Sequence, residues 1–242
     1  VELIGAESQF GSNARVTDCR ELVMKIAAKH PDAAGIGIML KEAVGLGLAT
    51  PPGLSGFAGA RPSPSPVVRL FSFALPKGTA KIQVDIDGVV FGVPDTQGTA
   101  LDHSALIRPD APALPVLDTD STVSVPLIKL AWGRSGDKGD KANVGIIARR
   151  SEYLPYIYAA LTEQVVADCF AHFLPPEAAG KTAQYVQRYF MPGSDAINYL
   201  IQDVLGGGGM ASIRNDAQGK GYAQLLLAMP VTVSAAIAQQ LK

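Results

Sequence analysis

The second half of the chain has the clearer alternation of apolar and polar positions. Residues 125–132 and 144–148 are apolar runs of strand length, and residues 184–190 alternate with a period of two. Residues 153–174 have the spacing of a helix, with a break near residues 160–162. Strands and helices mixed in this way predict an α+β sandwich.

The elements after residue 190 are predicted from caps and turn residues. Ser194 is predicted to cap a helix that four glycines at 206–209 then end. The apolar positions of that helix are Ile197, Leu200, Ile201 and Val204. Residues 211–214 and 222–229 are predicted to form a hairpin, although 222–229 also fits a helix. Residues 234–241 are predicted to close the chain as a helix.

Shorter apolar segments in the first half predict one strand and one capped helix. Residues 1–6 predict a strand, whereas residues 21–28 fit a helix or a strand equally well. Asp32 is predicted to cap a helix that runs toward Gly45. The run Thr50-Pro51-Pro52-Gly53 ends that segment.

A pattern of three strands follows a loop that is rich in Gly, Pro and Ser at residues 56–66. Residues 67–75 and 79–86 predict strands around a Pro-Lys-Gly turn. Asp87-Gly88 is a dipeptide typical of tight turns and leads into a third predicted strand at residues 89–93.

Composition divides the chain into two blocks, residues 1–93 and residues 125–242. Residues 94–124 are rich in Pro, Asp, Thr, Ser and Ala and lose the apolar periodicity, so we predict a linker there. The chain opens within a predicted strand, with neither Met nor a signal peptide. We therefore expect a further N-terminal portion or a companion subunit.

Composition and charge also speak against several classes of protein. Of the 242 residues, 48% are hydrophobic, which is enough to build packed cores. The formal net charge of -1 lacks the basic excess typical of nucleic-acid binding. No stretch of about 18 apolar residues predicts a membrane span. We expect a cytoplasmic protein with no nucleic-acid and no membrane partner.

The cysteines and histidines predict no metal site. Cys19 and Cys169 lie far apart and match no metal-ligand spacing, which favours two reduced thiols. The three histidines, His30, His103 and His172, contain no pair with the i,i+4 spacing of a helical metal site.

The segment at residues 133–141 combines glycines with charge and is the first candidate for chemistry. It is predicted to be a polar loop whose backbone N–H groups can cradle an anion. Its basic side chains can bind a carboxylate or phosphate, and its carboxylates can accept protons, hold a cation or pair with the basic groups. A charged surface hairpin with internal salt bridges explains the pattern as well. The charged residues are Arg134, Asp137, Lys138, Asp140 and Lys141.

The four consecutive glycines at residues 206–209 are the second candidate. A helix needs one glycine to stop, so the surplus predicts that a ligand or another subunit approaches the backbone closely. A flexible loop is the alternative. Arg214, Asp216 and Lys220 lie in the following turn, which is either part of the site or an ordinary polar turn. Asn198, ahead of the glycines, either points to the same place or is a local cap or a surface residue.

Three motifs in this order resemble the acyclic terpene utilization AtuA family. They are Arg-Ser-Gly-Asp-Lys-Gly at 134–139 with Ala-Asn-Val-Gly-Ile-Ile-Ala-Arg at 142–149, Leu-Gly-Gly-Gly-Gly at 205–209, and Ser-Ile-Arg at 212–214 with Asp-Ala-Gln-Gly-Lys at 216–220. The resemblance covers residues 125–233 well. Residues 1–93 resemble, more loosely, the tail of the family's large N-terminal domain.

The resemblance implies a ferredoxin-like fold for the C-terminal domain. It also implies a role in the bacterial breakdown of acyclic terpenes such as citronellol and geraniol, whose acids are processed as CoA thioesters. The expected reaction is a hydratase or lyase step on a branched acyl-CoA. Asp140-Lys141 departs from the family loop, which usually continues with Gly-Asn, and the added charge bears on which ligand fits.

We predict that the charged loop and the glycine run meet at one end of the sheet and bind an acyl-CoA or a carboxylate. The predicted catalytic residues are Asp137, Lys138 and Asp140, with Asp137 the best candidate for proton transfer. The predicted ligand-binding residues are Arg134, Ser135, Gly136, Asn143, Asn198, Gly206, Gly207, Gly208, Gly209, Arg214, Asp216 and Lys220.

No metal is expected, and no cofactor other than coenzyme A as part of the substrate. An oligomer is expected. The alternative function is a non-catalytic assembly domain of a larger hetero-oligomer, in which the glycine run packs against another subunit.

Overall fold

The computed structural model describes residues 1–50, 52–57, 59, 61–96, 98–116 and 121–241. They belong to two compact units, Val1–Arg69 with Asp110–Lys242, and Leu70–Pro109. Some predicted features lie outside the described residues, namely Pro51 of the helix stop, residues 58 and 60 of the loop, and residues 97 and 117–120 of the linker.

The chain begins with a two-stranded ladder and two helices. β1, Glu2–Ile4, pairs antiparallel with β2, Val23–Lys25, so the ambiguous segment at residues 21–28 is a strand at its centre. α1, Ala33–Ala43, starts at Asp32 as predicted, because the Asp32 carboxylate accepts the Ala34 N–H at 2.9 Å. Neither α1 nor α2, Leu46–Ala49, buries any residue.

The unit Leu70–Pro109 contains one hairpin. β3, Gln83–Ile86, and β4, Val89–Gly92, pair antiparallel. The turn between them has positive φ at Asp87 and Gly88, 53° and 85°, which confirms the predicted turn. Residues 67–75, all of them described, join no ladder, so the predicted strand there is wrong. An apolar run becomes a strand only where a partner completes the ladder.

The polar loop predicted at residues 133–141 is a strand for most of its length. β5, Thr122–Pro126, is followed by a 3₁₀ turn and then by β6, Ala131–Lys138, so the predicted strand 125–132 is broken in two. β7, Lys141–Ala148, pairs with β6, and only two residues turn between them. A sheet with one open face needs apolar residues only at its inward positions, and Arg134 and Lys138 occupy outward positions of β6.

Two helices and a strand come next, as predicted. α3, Leu154–Ala160, and α4, Glu163–Cys169, confirm the helical segment and its break. Thr162 Oγ1 accepts the Val165 N–H at 3.3 Å and so caps α4. β8, Val186–Met191, confirms the predicted alternating strand.

The helix predicted after Ser194 is wrong. β9, Ala196–Ile201, occupies that place and pairs with β7 and β8. Ile197 and Ile201 fit a helical and a strand period equally, but Tyr199 lies between them and all three are fully buried. That period of two settles the element as a strand with one inward face.

The glycine run leads into a helix rather than ending one. α5, Gly208–Ala211, begins inside it. α6, Tyr222–Leu227, shows that the predicted hairpin of 211–214 and 222–229 is wrong and that its helical alternative is correct. β10, Pro230–Ser234, pairs with β5. α7, Ala235–Gln240, is the predicted closing helix, capped by Ser234.

The main sheet has the order β6-β7-β9-β8, with every neighbouring pair antiparallel. From β7 to α6 the chain runs strand, helices, strand, strand, helix, which is the ferredoxin-like pattern. The edge beside the first strand, usually taken by the strand after the last helix, is occupied by β6. β10, which follows α6, pairs with β5 instead. The predicted class, α+β with a ferredoxin-like sandwich, is confirmed.

The core lies between this sheet and the helices that pack on one of its faces. α4 packs on β8, and α6 packs on β6 and β7. The largest fully buried side chains include Ile146, Phe170 and Tyr222, and all such residues lie between Leu127 and Leu226. Among the residues that the structure describes, no helix combines the length and the apolarity that crossing a bilayer requires.

Candidate functional site

One face of the four-stranded sheet is turned away from the helices, and we call it the open face. On β6 the inward positions include buried Ala131 and Ser135, so the alternate residues Trp132, Arg134, Gly136 and Lys138 project from the open face. The same alternation holds on the other three strands. The open-face positions are Trp132, Arg134, Gly136, Lys138, Lys141, Asn143, Gly145, Ile147, Gln187, Tyr189, Met191, Ala196, Asn198 and Leu200.

Strand register arranges these positions in rows across the sheet. The first row is Trp132, Ile147, Ala196 and Met191. The second row is Arg134, Gly145, Asn198 and Tyr189. The third row is Gly136, Asn143, Leu200 and Gln187, and Lys138 opposite Lys141 makes the fourth. Side chains paired in this way have Cβ atoms about 5 Å apart, so each row is a line of neighbours.

The open face is basic. None of its described positions is Asp or Glu, whereas the strands contribute Arg134, Lys138 and Lys141. Lys220 adds a further cation, because its Nζ atom lies 3.1 Å from where a Cβ on Gly136 would be. The one carboxylate on these strands, that of Asp137, faces the helix side, so no strand carboxylate on the open face offsets the charge and the face favours an anionic ligand.

Three polar side chains of the second and third rows are available for binding. The side chains of Arg134, Asn143 and Asn198 make no hydrogen bond or ion pair with any residue that the structure describes. Gly145 lies between Arg134 and Asn198 and leaves a gap in its row. An arginine beside two amides across such a gap can bind a carboxylate or a phosphate.

The first row is apolar and contains the single tryptophan of the chain. Trp132 is 53% exposed, Ile147 46% and Met191 49%. The Arg149 guanidinium lies 4.7 Å from the centre of the Trp132 ring, and Arg149 Nε donates to the Ile128 carbonyl at 3.1 Å. The cation–π contact and that hydrogen bond hold the ring in place.

The hairpin turn after β6 does meet the glycine run, and we call their contact the turn junction. It consists of Asp137, Gly139 and Asp140 on one side and of residues 206–209 with the adjacent Arg214 on the other. A Cβ on Gly208, where φ is 76°, would lie 2.4 Å from the Gly139 carbonyl oxygen. The close approach predicted from the glycine run is therefore made by the chain's own hairpin turn.

Asp140 ties the turn junction together. Its carboxylate accepts the Gly207 N–H at 2.8 Å, and its backbone carbonyl accepts the Val204 N–H at 3.1 Å. The Asp137 carboxylate faces Gly209 on the helix side of the sheet, with Oδ2 3.5 Å from where a Gly209 Cβ would be. Gly207 was predicted to bind an anionic ligand. In the structure its N–H already donates to a carboxylate of the protein.

The cations beside the glycine run are bound to backbone carbonyls. Arg214 donates to the carbonyls of Val204 and Phe173, the second at 2.8 Å, and its guanidinium lies 4.9 Å from the Phe173 ring. Lys29 Nζ donates to the Gly206 carbonyl at 3.3 Å. Both side chains anchor loops in this structure.

Two more of the predicted ligand-binding residues make structural hydrogen bonds. The Asp216 carboxylate accepts the N–H groups of Lys220 and Gly221, at 2.8 and 2.7 Å. Ser135 is buried, donates its hydroxyl to the Lys220 carbonyl at 3.1 Å and accepts the Ala223 N–H at 2.9 Å. These bonds hold the start of α6 against β6.

The structure separates the predicted site residues into two groups. The open face brings together Arg134, Gly136, Lys138, Asn143 and Asn198, with the Lys220 ammonium beside them. The turn junction holds Asp137, Asp140, the glycines and Arg214 on the helix side. Asp137 therefore does not share a face with Arg134 and Lys138, beside which it was predicted to act.

The N-terminal segment contacts the domain next to the turn junction. Glu2 accepts the Asn215 N–H on both carboxylate oxygens, and Lys25 pairs with Glu2 at 3.2 Å. His172 Nε2 lies 2.8 Å from the Gln9 carbonyl oxygen, so this nitrogen carries the proton. Burial lowers the pKa of His172, the Gln9 contact opposes that shift, and nearby Arg214 adds to it.

Burial is the largest cause of the raised pKa values of two groups. Burial raises the pKa of the Cys169 thiol to about 12 and that of the Tyr222 hydroxyl to about 12. A thiol in this state is not a nucleophile at neutral pH. Within the described ranges, no group of three or more His, Cys, Asp or Glu side chains is arranged to hold a metal ion.

Sequence reasoning missed the apolar row of the open face. Ile147 was assigned to a strand but not to a surface, and Trp132 was placed at a strand end. Met191 directly follows the predicted strand 184–190 and was assigned to no element. The signal was present as a period of two, since Trp132, Arg134, Gly136 and Lys138 are alternate residues. Interpreting residues 133–141 as a loop concealed that period.

The fold and this face define a class of protein, a ferredoxin-like α/β sandwich with a basic open sheet face. Residues 125–232 match the family model of the AtuA ferredoxin-like domain. This part of the chain is thus similar to that domain, and the resemblance stated from the motifs is confirmed for residues 125–232. Neither the curated proteins nor the solved structures contain a match.

Proposed function

We propose that this domain binds an acyl-CoA or a related carboxylate on its open face, as part of an enzyme of acyclic terpene and branched acyl-CoA catabolism. The observation that carries the proposal is a basic sheet face with Arg134, Asn143 and Asn198 in adjacent rows. Coenzyme A carries three phosphate groups and a carboxylate is a single anion, so both complement such a face.

The proposed reaction is hydration or carbon–carbon cleavage of the bound thioester, and it rests on the family resemblance. Either reaction needs a group that moves a proton. The strands place no Asp, Glu or His on the open face. In this proposal the domain holds the anionic ligand, and the proton-transfer group comes from outside the open face.

Calorimetric titration of the protein with CoA and with branched acyl-CoA thioesters tests the binding. The Arg134→Ala change should weaken binding roughly tenfold or more, because a charge-assisted contact is worth about 1.5–3 kcal/mol. Arg150→Ala is a matched control, since Arg150 is exposed and pairs with Glu152 at 3.6 Å. Equal affinity in wild type and Arg134→Ala would refute the proposal.

The predicted catalytic role of Asp137 has its own test. Asp137→Asn retains the size of the side chain and removes its proton-accepting charge. If Asp137 moves the proton, turnover of the acyl-CoA should fall while CoA affinity and the free energy of unfolding stay as in wild type. Unchanged turnover would assign the step to another group.

A second candidate function is assembly into a larger hetero-oligomer, and exposed apolar residues elsewhere favour it. In the unit Leu70–Pro109, Phe71 is 82% exposed and Phe73 is 69% exposed, and their rings are 5.9 Å apart. Two exposed phenylalanines together are typical of an interaction surface. The double change Phe71→Ser and Phe73→Ser should lower the sedimentation coefficient if they bind a partner, with Phe57→Ser as a control for lost surface apolarity.

A further inference from the structure

The rows of the open face change polarity from one end to the other. The first row presents Trp132, Ile147 and Met191, all exposed. The fourth row presents Lys138 opposite Lys141. An apolar end and a cationic end therefore face the same side of one sheet.

The distance between the two ends follows from strand geometry. Trp132 and Lys138 are six residues apart on β6, and a strand rises about 3.3 Å per residue, which gives about 20 Å. The rows between them hold Arg134, Asn143 and Asn198. A ligand that contacts both ends must be long, apolar at one end and anionic at the other.

We propose that an extended branched acyl-CoA lies along the open face, with its acyl chain on the Trp132 row and its phosphates at the Lys138–Lys141 row. The inference deepens the proposed function and rests on it. The apolar row suits a branched aliphatic chain, because Ile147 is branched and the flexible Met191 adapts to irregular shapes. Arg134 and the two asparagines would contact the polar arm between the ends.

Charge selects this occupant over a second copy of the chain. Two open faces packed together would bring Arg134, Lys138 and Lys141 of both copies into contact, with no Asp or Glu at the open-face strand positions between them. Like charges placed together cost stability. A long anion with an aliphatic end matches both ends of the face at once.

The single tryptophan makes the orientation measurable. Trp132 is the only tryptophan of the chain, so its fluorescence reports on the apolar row alone. A branched ten-carbon acyl-CoA should shift the Trp132 emission to shorter wavelength, because the chain removes water from the ring. Free CoA should bind without that shift. An equal shift with both ligands would overturn the orientation.

Two pairs of variants test the two ends separately. Met191→Ser should weaken binding of the acyl-CoA about tenfold and leave the affinity for free CoA unchanged. Met210→Ser, at an exposed methionine, is its control. The double change Lys138→Gln and Lys141→Gln should weaken binding of both ligands about tenfold. Lys181→Gln, at an exposed lysine, is its control. If the Lys138 and Lys141 changes leave both affinities unaltered, the anionic end is misplaced.

The free branched carboxylic acid tests whether the phosphates of CoA or a carboxylate supply the anion that binds. The proposal predicts that the free acid binds at least tenfold more weakly than its CoA thioester, since it lacks the phosphates. Equal affinity of acid and thioester would overturn the inference and leave carboxylate binding on the open face standing. Binding of neither CoA nor acid would refute the proposed function itself.

Discussion

The open face and the turn junction are built from the same kinds of residue but use them differently. Both contain glycines, carboxamides or carboxylates, and basic side chains. At the turn junction, Asp140 binds the Gly207 amide and Arg214 binds two backbone carbonyls, so the polar groups stabilise the fold. On the open face, Arg134 and Asn198 have no such partner among the described residues. Internal satisfaction of polar groups thus separates structural charge from charge that can bind a ligand.

The largest expected effect is on stability, from Gly208→Ala. The added Cβ would lie 2.4 Å from the Gly139 carbonyl oxygen. The φ of Gly208 is 76°, which residues other than glycine rarely adopt. We expect a loss of about 2–4 kcal/mol in the free energy of unfolding, measured with urea. Gly193→Ala, with nothing within 4 Å of the new Cβ, is the control. A loss below 0.5 kcal/mol would mean that the turn junction does not close as described.

Removal of the Asp140 carboxylate should lower the free energy of unfolding somewhat less than Gly208→Ala does. Asp140→Ala leaves the Gly207 N–H without its acceptor at 2.8 Å, and we expect a loss of about 1–3 kcal/mol. Arg134→Ala on the open face should change the free energy of unfolding by less than about 0.5 kcal/mol. Thermal unfolding of both variants measures the contrast directly. Similar losses in the two variants would erase the distinction between the regions.

The Ser135→Ala change separates a structural from a binding role at one residue. Ser135 is buried and bonds the Lys220 carbonyl and the Ala223 N–H, so its loss should destabilise the protein by about 1–2 kcal/mol. CoA affinity should remain within twofold of wild type. A large loss of affinity with full stability would return Ser135 to the binding site.

The smallest expected effect is a pH dependence at the contact of the N-terminal segment. The folded pKa of His172 is lowered below its ordinary value of 6.5, so the unfolded chain takes up a proton more readily as pH falls. The contribution of neutral His172 to the free energy of unfolding should be complete above pH 6.5 and be lost as the pH falls below it. The loss should be less than about 1 kcal/mol, because the ring is partly exposed. His172→Gln retains a donor for the Gln9 carbonyl, and its stability should decline less between pH 7.5 and 5.

The fold was predictable where patterns were unambiguous. Residues 153–174 carried a helical period with a visible break, and Asp87-Gly88 specified a turn, and both are confirmed. The prediction of a loop at residues 133–141 was wrong because polar and small residues carry the strand period there. Ile197 and Ile201 fit two periods, and only tertiary burial of Tyr199 selected the strand.

The contact of the two turns was also predictable, but its chemistry was not. Glycines at 206–209 indicate a close approach without naming the group that approaches. That group is the Gly139 carbonyl, some seventy residues earlier in the chain, which no local pattern identifies. The apolar row of the open face was equally hidden, since its members come from four strands whose order depends on topology.

The most direct test of the central claim is a ¹⁵N backbone spectrum of the protein during titration with CoA. Binding on the open face predicts that the amide signals of Arg134, Gly145 and Asn198 move together with one saturation curve. The signals of Gly207 and Gly208 should stay in place, because their junction is closed by Asp140 and Gly139. Shifts confined to residues 206–209, with the open-face signals unmoved, would contradict the account.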